Sequence, residues 1–497
     1  MKNLFLTICC IVLCFSCSEE FLELEPRGSD TEANFYKTQE HYYQGIISVY
    51  DVLSWGGTNG WTMAVGLANA ASDDCYAGGS DASDQPSWVA YDNFTINPEL
   101  GPQSGLWTKY YTGIARANLI LEKILIAEDI DADFLDRITA EAKVLRAYYY
   151  FELVRLFGNV IKTEVRISPD AIYTQDQVGP SVIYDFIESD LNSALASTQL
   201  PDQVDITELG RVSKDMARML LGKTILYRND NSRMQEAADL FEDLVNSGRY
   251  SLESEFGNIF SQNNEWGVES IFEINYSGNQ RGGWGNFSNG TEGNYNQQFF
   301  GMRDYVGPDF ATGWSFCPVT ESLAEFMQND PRFEHTIIDG IALQQQGASY
   351  SPAFQNTDFF IRKYAGLQEN VATDGEVALN WANNERVMRY ADVLLMAAEC
   401  LLRGGGDESQ ARNYVNQVRS RVGLQPISNA GESLLQAIYR ERRMELATEG
   451  HRFFDLVRTG QAATVLDGFV EGKHDYLPIP QREIDLSNGS LNQNSGY

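Results

Sequence analysis

Aromatic and acidic side chains are concentrated in two stretches of this 497-residue chain that show no sustained helical or strand period. One runs from 59 to 105 and is rich in Gly, Asp, Ser and Pro. The other runs from 251 to 385 and includes a segment, 276–300, with six glycines and six aromatic residues. Segments of this composition are loops, and long loops on a regular scaffold usually carry function. We therefore expect binding residues in these two stretches.

The chemistry that such residues could perform is carbohydrate binding. A sugar ring has a C–H face, which stacks on an exposed aromatic ring, and a rim of hydroxyl groups, which hydrogen-bond to carboxylate, amide and guanidinium groups. The alternative for each ring is burial under its own loop, since large aromatic side chains are usually packed. The candidate ligand-binding residues are Asp74, Tyr76, Trp88, Trp284, Tyr295 and Trp314.

A second polar group near the C terminus resembles an acid–base cluster in composition: Glu445, His451, Arg452 and Asp455. We interpret it as structural, because Arg–carboxylate pairs at these spacings hold adjacent helices together. The four histidines of the chain are scattered and form no paired metal-binding spacing. No two carboxylates can be nominated for glycoside hydrolysis. The sequence thus predicts a protein that is not an enzyme and has no cofactor. It nominates no metal ligands, although the Asp-rich loops permit calcium binding.

The elements that must position these loops are predominantly helical. Apolar residues recur at helical spacing from Ile138 to Leu156 and, before that, from Trp107 to Leu121, which predicts an antiparallel helix pair. The run of aspartates ending at Asp133 is interpreted as a helix N-terminus. Further on, a helix opening at 221–222 and a partner carrying Ala237 and Phe241 resemble a tetratricopeptide repeat, in which small residues allow close packing.

A second helical region begins near Val387. Its apolar stripe runs from Tyr390 to Leu401, Asp407 is a suitable N-cap for the return helix, and a third helix is predicted over about 433–447. Two helical blocks therefore flank the irregular region 251–385.

Charge and cysteine content exclude several classes of protein. A formal net charge of −32 argues against binding to nucleic acid and to anionic membrane surfaces. Three cysteines remain beyond residue 17, Cys75, Cys317 and Cys400, and their wide spacing predicts neither a disulfide framework nor a zinc site.

The first twenty residues have the features of an export signal. Lys2 precedes an apolar run, 4–15, that is too short to cross a bilayer, and Ser16 is followed directly by Cys17. This arrangement resembles a lipoprotein cleavage site with Cys17 as the lipidated residue, and the acidic 18–20 segment resembles a signal for the outer face of the outer membrane. A secretory leader cut at another position is the alternative.

Seven motifs in order give the chain a family resemblance. It carries F-L and E-P at 21–26, a Trp/Tyr/Asn helix pattern at 107–118, and E-A…L-R-A-Y-Y-Y-F…L-V-R-L-F-G at 141–158. It then carries D-P-R at 330–332, R-Y-A-D-V-L-L-M at 389–396, E-R-R-M-E-L and E-G-H-R-F-F-D-L at 441–456, and P-I-P at 478–480, followed by Q-N…G-Y at the end. Together these motifs resemble the SusD/RagB family of outer-membrane nutrient-binding lipoproteins.

The resemblance implies a mainly α fold: a tetratricopeptide-repeat-like helical scaffold with a large irregular, loop-rich lobe. It implies a non-catalytic, lipid-anchored surface protein that captures oligosaccharide or polysaccharide for a SusC-like TonB-dependent transporter. Asp74, Tyr76, Tyr295 and Trp314 lie where starch-binding members place an acidic residue and an aromatic platform. RagB-like members bind peptides, so a peptide or other nutrient is an alternative ligand. A surface glycoside hydrolase and an assembly-only role without ligand are further alternatives.

The expected organisation follows from the helical blocks and the resemblance. It comprises a signal peptide (1–16), a lipid anchor and tether (17–30), an N-terminal helical region (31–250), a loop-rich ligand-binding lobe (251–385) and a C-terminal helical region (386–497).

Overall fold

The computed structural model describes residues 35–57, 61–278, 283–284 and 292–497. The predicted signal peptide, Cys17 and the tether lie outside these residues. The N-terminal half is built from helices α1 (Gln39–Asp51), α2 (Ala64–Ala70), α3 (Pro86–Asp92), α4 (Gln103–Ile124), α5 (Ala132–Phe157), α6 (Pro180–Leu195), α7 (Lys214–Tyr227) and α8 (Met234–Asn246). A two-stranded antiparallel ladder, β1 (Val160–Ile161) with β2 (Gln177–Val178), joins α5 to α6.

The predicted antiparallel pair is confirmed as α4 and α5. The two helices approach closely at Gly113, where a Cβ atom would lie 2.4 Å from the Tyr149 ring. The Tyr149 hydroxyl donates to the carbonyl oxygen of Val49 at 2.6 Å and ties the pair to α1. Asp131 caps the N-terminus of α5 by accepting from Phe134 N–H, so the aspartate run does begin a helix.

The repeat-like pair α7–α8 also packs through a glycine. A Cβ atom at Gly222 would lie 2.7 Å from the Phe241 ring, which is why a small residue is needed there. The predicted start of α7 at 221–222 is wrong. The helix begins at Lys214 because the Ser213 side chain caps it, accepting from Met216 N–H, and Gly222 lies in its interior.

The C-terminal region is a second set of packed helices. Residue 387 lies in the strand that precedes α13, and the third predicted helix, 433–447, corresponds to α15. Asp407 caps α14 as predicted, accepting from the N–H groups of Ser409 and Gln410. The helices are α13 (Tyr390–Arg403), α14 (Glu408–Arg421), α15 (Gly431–Leu446), α16 (Arg452–Arg458), α17 (Ala462–Val465) and α18 (Gln481–Leu486).

The region between these blocks is irregular, as predicted. Its described helices are short: α9 (Asn296–Phe300), α10 (Glu321–Met327), α11 (Phe333–Thr336) and α12 (Gly340–Gln345). Strand β3 (Ser270–Ile274) pairs antiparallel with β6 (Glu385–Arg389), and β4 (Ile337–Asp339) pairs with β5 (Phe359–Ile361). The β3–β6 ladder therefore connects the irregular region to the start of the C-terminal helices.

One large hydrophobic core runs through both helical blocks and includes residues of the irregular region, such as Phe299 and Phe316. A smaller core lies under the β4–β5 ladder and contains Tyr305, Phe310 and Phe360. The predicted fold class, mainly α with a large irregular lobe, is confirmed. No helix among the described residues has the length and apolar character needed to cross a membrane.

Candidate carbohydrate-binding site

Three tryptophans form an aromatic cluster at the surface of the irregular region. The ring planes of Trp284 and Trp314 are 23° from parallel, with centroids 6.1 Å apart. Trp284 is 50% exposed, whereas Trp314 is partly buried. The ring of Trp314 packs edge-on against Trp61 at 5.7 Å and against Phe299 at 5.1 Å. The cluster thus presents indole surface to solvent while its inner side is fixed by packing.

The sequence did not single out Trp61, which the structure adds to the cluster. It lies between a Gly/Asn-rich segment and α2 and has no helical or strand period. Tyr295, a predicted ligand contact, is only 3% exposed, because its ring packs edge-on against Trp61 at 5.5 Å. In this structure Tyr295 supports the cluster from beneath and does not offer a surface to a ligand.

Trp88 is a correction to the predicted site. It is fully buried, with its ring against Phe299 and Phe316. Its Nε1–H donates to the carbonyl oxygen of Trp61 at 3.0 Å. The residue lies on α3, and a Cβ atom at Gly66 of α2 would lie 2.6 Å from its ring. Trp88 is therefore a core residue that holds the aromatic cluster in place.

Asp74 is a second correction, and the pairing of the two loops explains it. The chain around 74–79 runs antiparallel to 315–320, with bridges Cys75–Val319 and Gly78–Phe316. This register places Asp74 opposite Thr320, whose N–H donates to the Asp74 carbonyl oxygen at 3.0 Å. The Asp74 side chain is fully buried and accepts from Arg443 Nε at 3.0 Å. Asp74 thus holds α15 against the first loop.

Tyr76 lies in the same antiparallel pairing, opposite Pro318, and is partly exposed. Burial and the neighbouring Glu321 and Asp92 carboxylates raise the pKa of its hydroxyl. The pairing continues to Gly79, whose N–H donates to the Ser315 carbonyl oxygen at 2.9 Å.

The backbone of Trp314 is fixed from both sides. Its N–H donates to the Gln298 carbonyl oxygen at 2.8 Å, and its own carbonyl oxygen accepts from the Arg303 guanidinium at 3.2 Å. Gly313 lies against Gly301 so closely that a Cβ atom would be 2.3 Å from the Gly301 Cα atom. These main-chain contacts therefore fix the position of Trp314 in the tryptophan pair.

A separate groove of about 590 Å³ opens between α1 and the segment that precedes α7. Its lining includes Tyr43, Asp51, Glu208 and Arg211. These charged groups are already paired with protein partners: Asp51 with Arg116, and Glu208 with Arg211. The groove therefore has volume, but these side chains are engaged within the protein.

The C-terminal charges form buried ion pairs. Glu445 is fully buried between Arg332, Arg389 and Arg421, at N···O distances of 3.0, 3.1 and 2.6 Å. These arginines hold the pKa of Glu445 well below its usual value, against the effect of burial. Glu445 thus joins α15 to α14 and β6, which supports the structural interpretation.

The other members of that group are similarly engaged. Arg452 donates to Asp73 at 2.7 Å, and Asp455 pairs with Arg442 and Arg458. Burial and nearby Lys223 lower the pKa of His451 to about 4, so this histidine is neutral at physiological pH. Among the described residues no cluster of His, Cys, Asp and Glu has a metal-binding arrangement.

Comparison with known proteins gives consistent matches over nearly the whole chain. Residues 268–497 match the model of the SusD family, and residues 20–226 match a model described as "Starch-binding associating with outer membrane". A SusD-like protein of Formosa agariphila is 25% identical, with coverage of 100% of this chain and 99% of the relative.

Two solved structures with known glycan ligands are also similar. A laminarin-binding SusD-like protein superposes with a TM-score of 0.86 at 39% identity and covers 93% of this chain and 100% of its own. Surface glycan-binding protein A of Bacteroides thetaiotaomicron, in complex with laminarihexaose, gives 0.85 at 30% identity, covering 92% and 100%. The predicted resemblance is confirmed: this chain belongs to the SusD/RagB family.

Proposed function

We propose that this protein binds a neutral glucan at the exposed indole surface of the Trp284–Trp314 pair, with laminarin as the first candidate. The observation that carries the proposal is the stacked pair itself, in which a half-exposed indole is backed by a second indole and fixed main chain. Such a surface matches the C–H face of a glucose ring.

The choice of ligand is supported by both chemistry and likeness. A laminarin-binding protein at 39% identity and a laminarihexaose complex at 30% share this fold over nearly the whole chain. The net charge of −32 disfavours polyanionic glycans, whereas laminarin is uncharged. A peptide, the alternative ligand, would need backbone donors and acceptors along a groove, and the groove beside α1 is the place where it would fit.

The proposal is tested by isothermal titration calorimetry of residues 18–497 with laminarihexaose, maltohexaose and cellohexaose. We expect saturable binding to laminarihexaose and a loss of tenfold or more, roughly 1.4 kcal/mol or more, in Trp314→Ala. Tyr173→Ala is the matched control, because Tyr173 is 46% exposed and lies outside the site. Failure of every hexasaccharide to bind the folded protein would contradict the glucan proposal and favour a peptide titration at the groove.

The same proposal includes lipid anchoring through Cys17 on the exterior face of the outer membrane and transfer of glycan to a SusC-like TonB-dependent transporter. It is supported by the leader pattern before Cys17 and by the outer-membrane description of the matching family. Cys17→Ala should release the protein from the membrane fraction without changing its affinity for laminarihexaose. Retention of the variant in that fraction would contradict anchoring at Cys17.

The proposed role is binding without catalysis. The C-terminal carboxylates are held by arginines, and His451 is buried and neutral. Laminarihexaose incubated with the protein should therefore be recovered intact by chromatography. Shorter products that persist after repurification would instead indicate a hydrolase.

A further inference from the structure

One ion pair beside the tryptophan cluster is longer than the ion pairs that hold the C-terminal helices together. Arg303 Nη2 lies 3.9 Å from Asp84 Oδ2, and the two side chains are 28% and 26% exposed. The ion pairs of the C-terminal core are shorter and more deeply buried; Arg421–Glu445, for example, is 2.6 Å with both side chains almost inaccessible. The Arg303–Asp84 pair is therefore loosely associated and accessible to solvent.

Arg303 is fixed at the edge of the cluster by its main chain. Its N–H donates to the Ser315 hydroxyl at 2.8 Å, and its carbonyl oxygen accepts from Ser351 N–H at 2.9 Å. Its guanidinium donates to the carbonyl oxygen of Trp314. Of the five N–H donors of a guanidinium, this bond uses one. Nε is buried and has no hydrogen-bond partner in the described part of the chain, so the 28% exposure of the side chain lies on its other atoms.

Asp84 is brought to the same place by the first loop. The pairing of this loop with 315–320 extends to Gly79, and the next residue, Ser80, donates to Asp84 Oδ2 from both its N–H and its hydroxyl at 2.9 Å. Gly79 permits this turn, because it has φ of +97° and a Cβ atom there would lie 2.9 Å from the Phe316 ring. Both serine bonds are to Oδ2, which leaves Oδ1 available.

We propose that Arg303 and Asp84 are the hydroxyl-binding pair of this site and that they select a neutral sugar. This inference rests on the proposed function and assigns its polar specificity. A sugar ring stacked on the exposed indole surface presents two adjacent hydroxyl groups to this pair, one accepting from Arg303 and one donating to Asp84. Because the pair is electrically neutral, it matches an uncharged glycan.

The same arrangement predicts how the ligand specificity changes when the charge of Asp84 is removed. Without the Asp84 charge, Arg303 is an unbalanced cation beside the platform and attracts a carboxylated sugar. The carboxylate of Asp84 thus repels anionic glycans and accepts a hydrogen bond from neutral ones. A purely structural role for the pair would change stability but would not exchange one ligand class for another.

The test is calorimetry of the chain from residue 18 with laminarihexaose and with an alginate hexamer as the anionic probe. Arg303→Lys retains the charge but not the planar fork, and we expect it to weaken laminarihexaose binding about tenfold or more. Asp84→Asn should weaken laminarihexaose binding similarly and gain measurable alginate binding.

Arg412→Lys is the matched control. Arg412 is 26% exposed, donates to one carbonyl oxygen at 2.8 Å, and has a long 3.7 Å pair with Glu408. Affinities of Arg303→Lys and Asp84→Asn within about twofold of the wild type, with Trp314→Ala still defective, would overturn this inference and leave the glucan site intact. If Arg303→Lys does not fold, Asp84→Asn decides the question alone. Absence of wild-type binding to laminarihexaose would instead overturn the proposed function and this inference with it.

Discussion

Arg443 donates from Nε to Oδ1 of Asp74 at 3.0 Å, and this contact gives a fully buried carboxylate a partner on the C-terminal helix α15. Arg443 also approaches Asp73 at 2.8 Å, and Arg452 approaches the same residue at 2.7 Å. The first loop is therefore held to the C-terminal block by two aspartates.

Replacing Asp74 should affect stability and leave binding intact. In Asp74→Ala the Arg443 guanidinium loses its buried partner, and we expect the free energy of unfolding to fall by about 3 kcal/mol. Urea denaturation measures this fall, and calorimetry with laminarihexaose measures the affinity. A large loss of affinity in a variant that remains folded would restore Asp74 as a ligand contact.

Gly313 should control the position of Trp314. A methyl group at 313 would collide with the Gly301 main chain, which cannot move aside as a side chain could, so Gly313→Ala should displace the Trp314 strand. We expect about tenfold weaker laminarihexaose binding and a loss of about 1–3 kcal/mol of stability. Gly179→Ala is the control, because only the Asn159 side chain lies within 4 Å of a Cβ atom there. Unchanged affinity in Gly313→Ala would show that Trp314 does not need this close approach.

Glu445 should be among the most sensitive residues for stability. Glu445→Gln leaves Arg332, Arg389 and Arg421 without their shared carboxylate, and we expect a loss of about 3–5 kcal/mol in chemical denaturation. Glu432→Gln, an exposed position on the same helix, should cost less than about 0.5 kcal/mol. A catalytic role would show the reverse: a stable variant that has lost an activity on glycan.

The pH dependence of stability should depend on Glu385. Burial raises the pKa of this carboxyl from 4.5 to about 7, with Lys109 opposing the shift. A raised pKa in the folded state favours the protonated form, so its stabilising contribution is complete below about pH 4.5 and is lost as the pH rises to about 7. The full difference corresponds to about 3 kcal/mol.

Glu385→Gln removes this titration. The free energy of unfolding of the variant, relative to the wild type, should therefore be higher at pH 8 than at pH 5. Glu40→Gln, at an exposed position, should show no such change. Parallel pH profiles for the wild type and Glu385→Gln would show that Glu385 is ionised in the folded protein throughout this range.

The scaffold was predictable because its determinants are local. The stripe from Ile138 to Leu156 and the caps at Asp131 and Asp407 act within one or two turns of helix, and each helix formed where they indicated. The predicted start of α7 was wrong because the Ser213 side chain determines where the helix begins. Gly222 lies in the helix interior, where it packs against Phe241.

The site was less predictable because exposure of an aromatic ring depends on distant residues. Trp88 and Trp284 both lie in loop-like sequence. Residues of α2 and α9 bury Trp88, whereas Trp284 remains 50% exposed. Asp74 and Asp84 are both acidic residues of the first loop, yet long-range contacts pair the first with Arg443 and bring the second to Arg303, whose guanidinium donates to Trp314. No local pattern contains those contacts.

The most direct test is a crystal structure of the protein with laminarihexaose. We predict one glucose ring against the exposed indole surface of the Trp284–Trp314 pair, with its hydroxyl groups hydrogen-bonded to Arg303 and Asp84. Electron density for the sugar in the groove beside Tyr43, with the indole surface empty, would contradict this account.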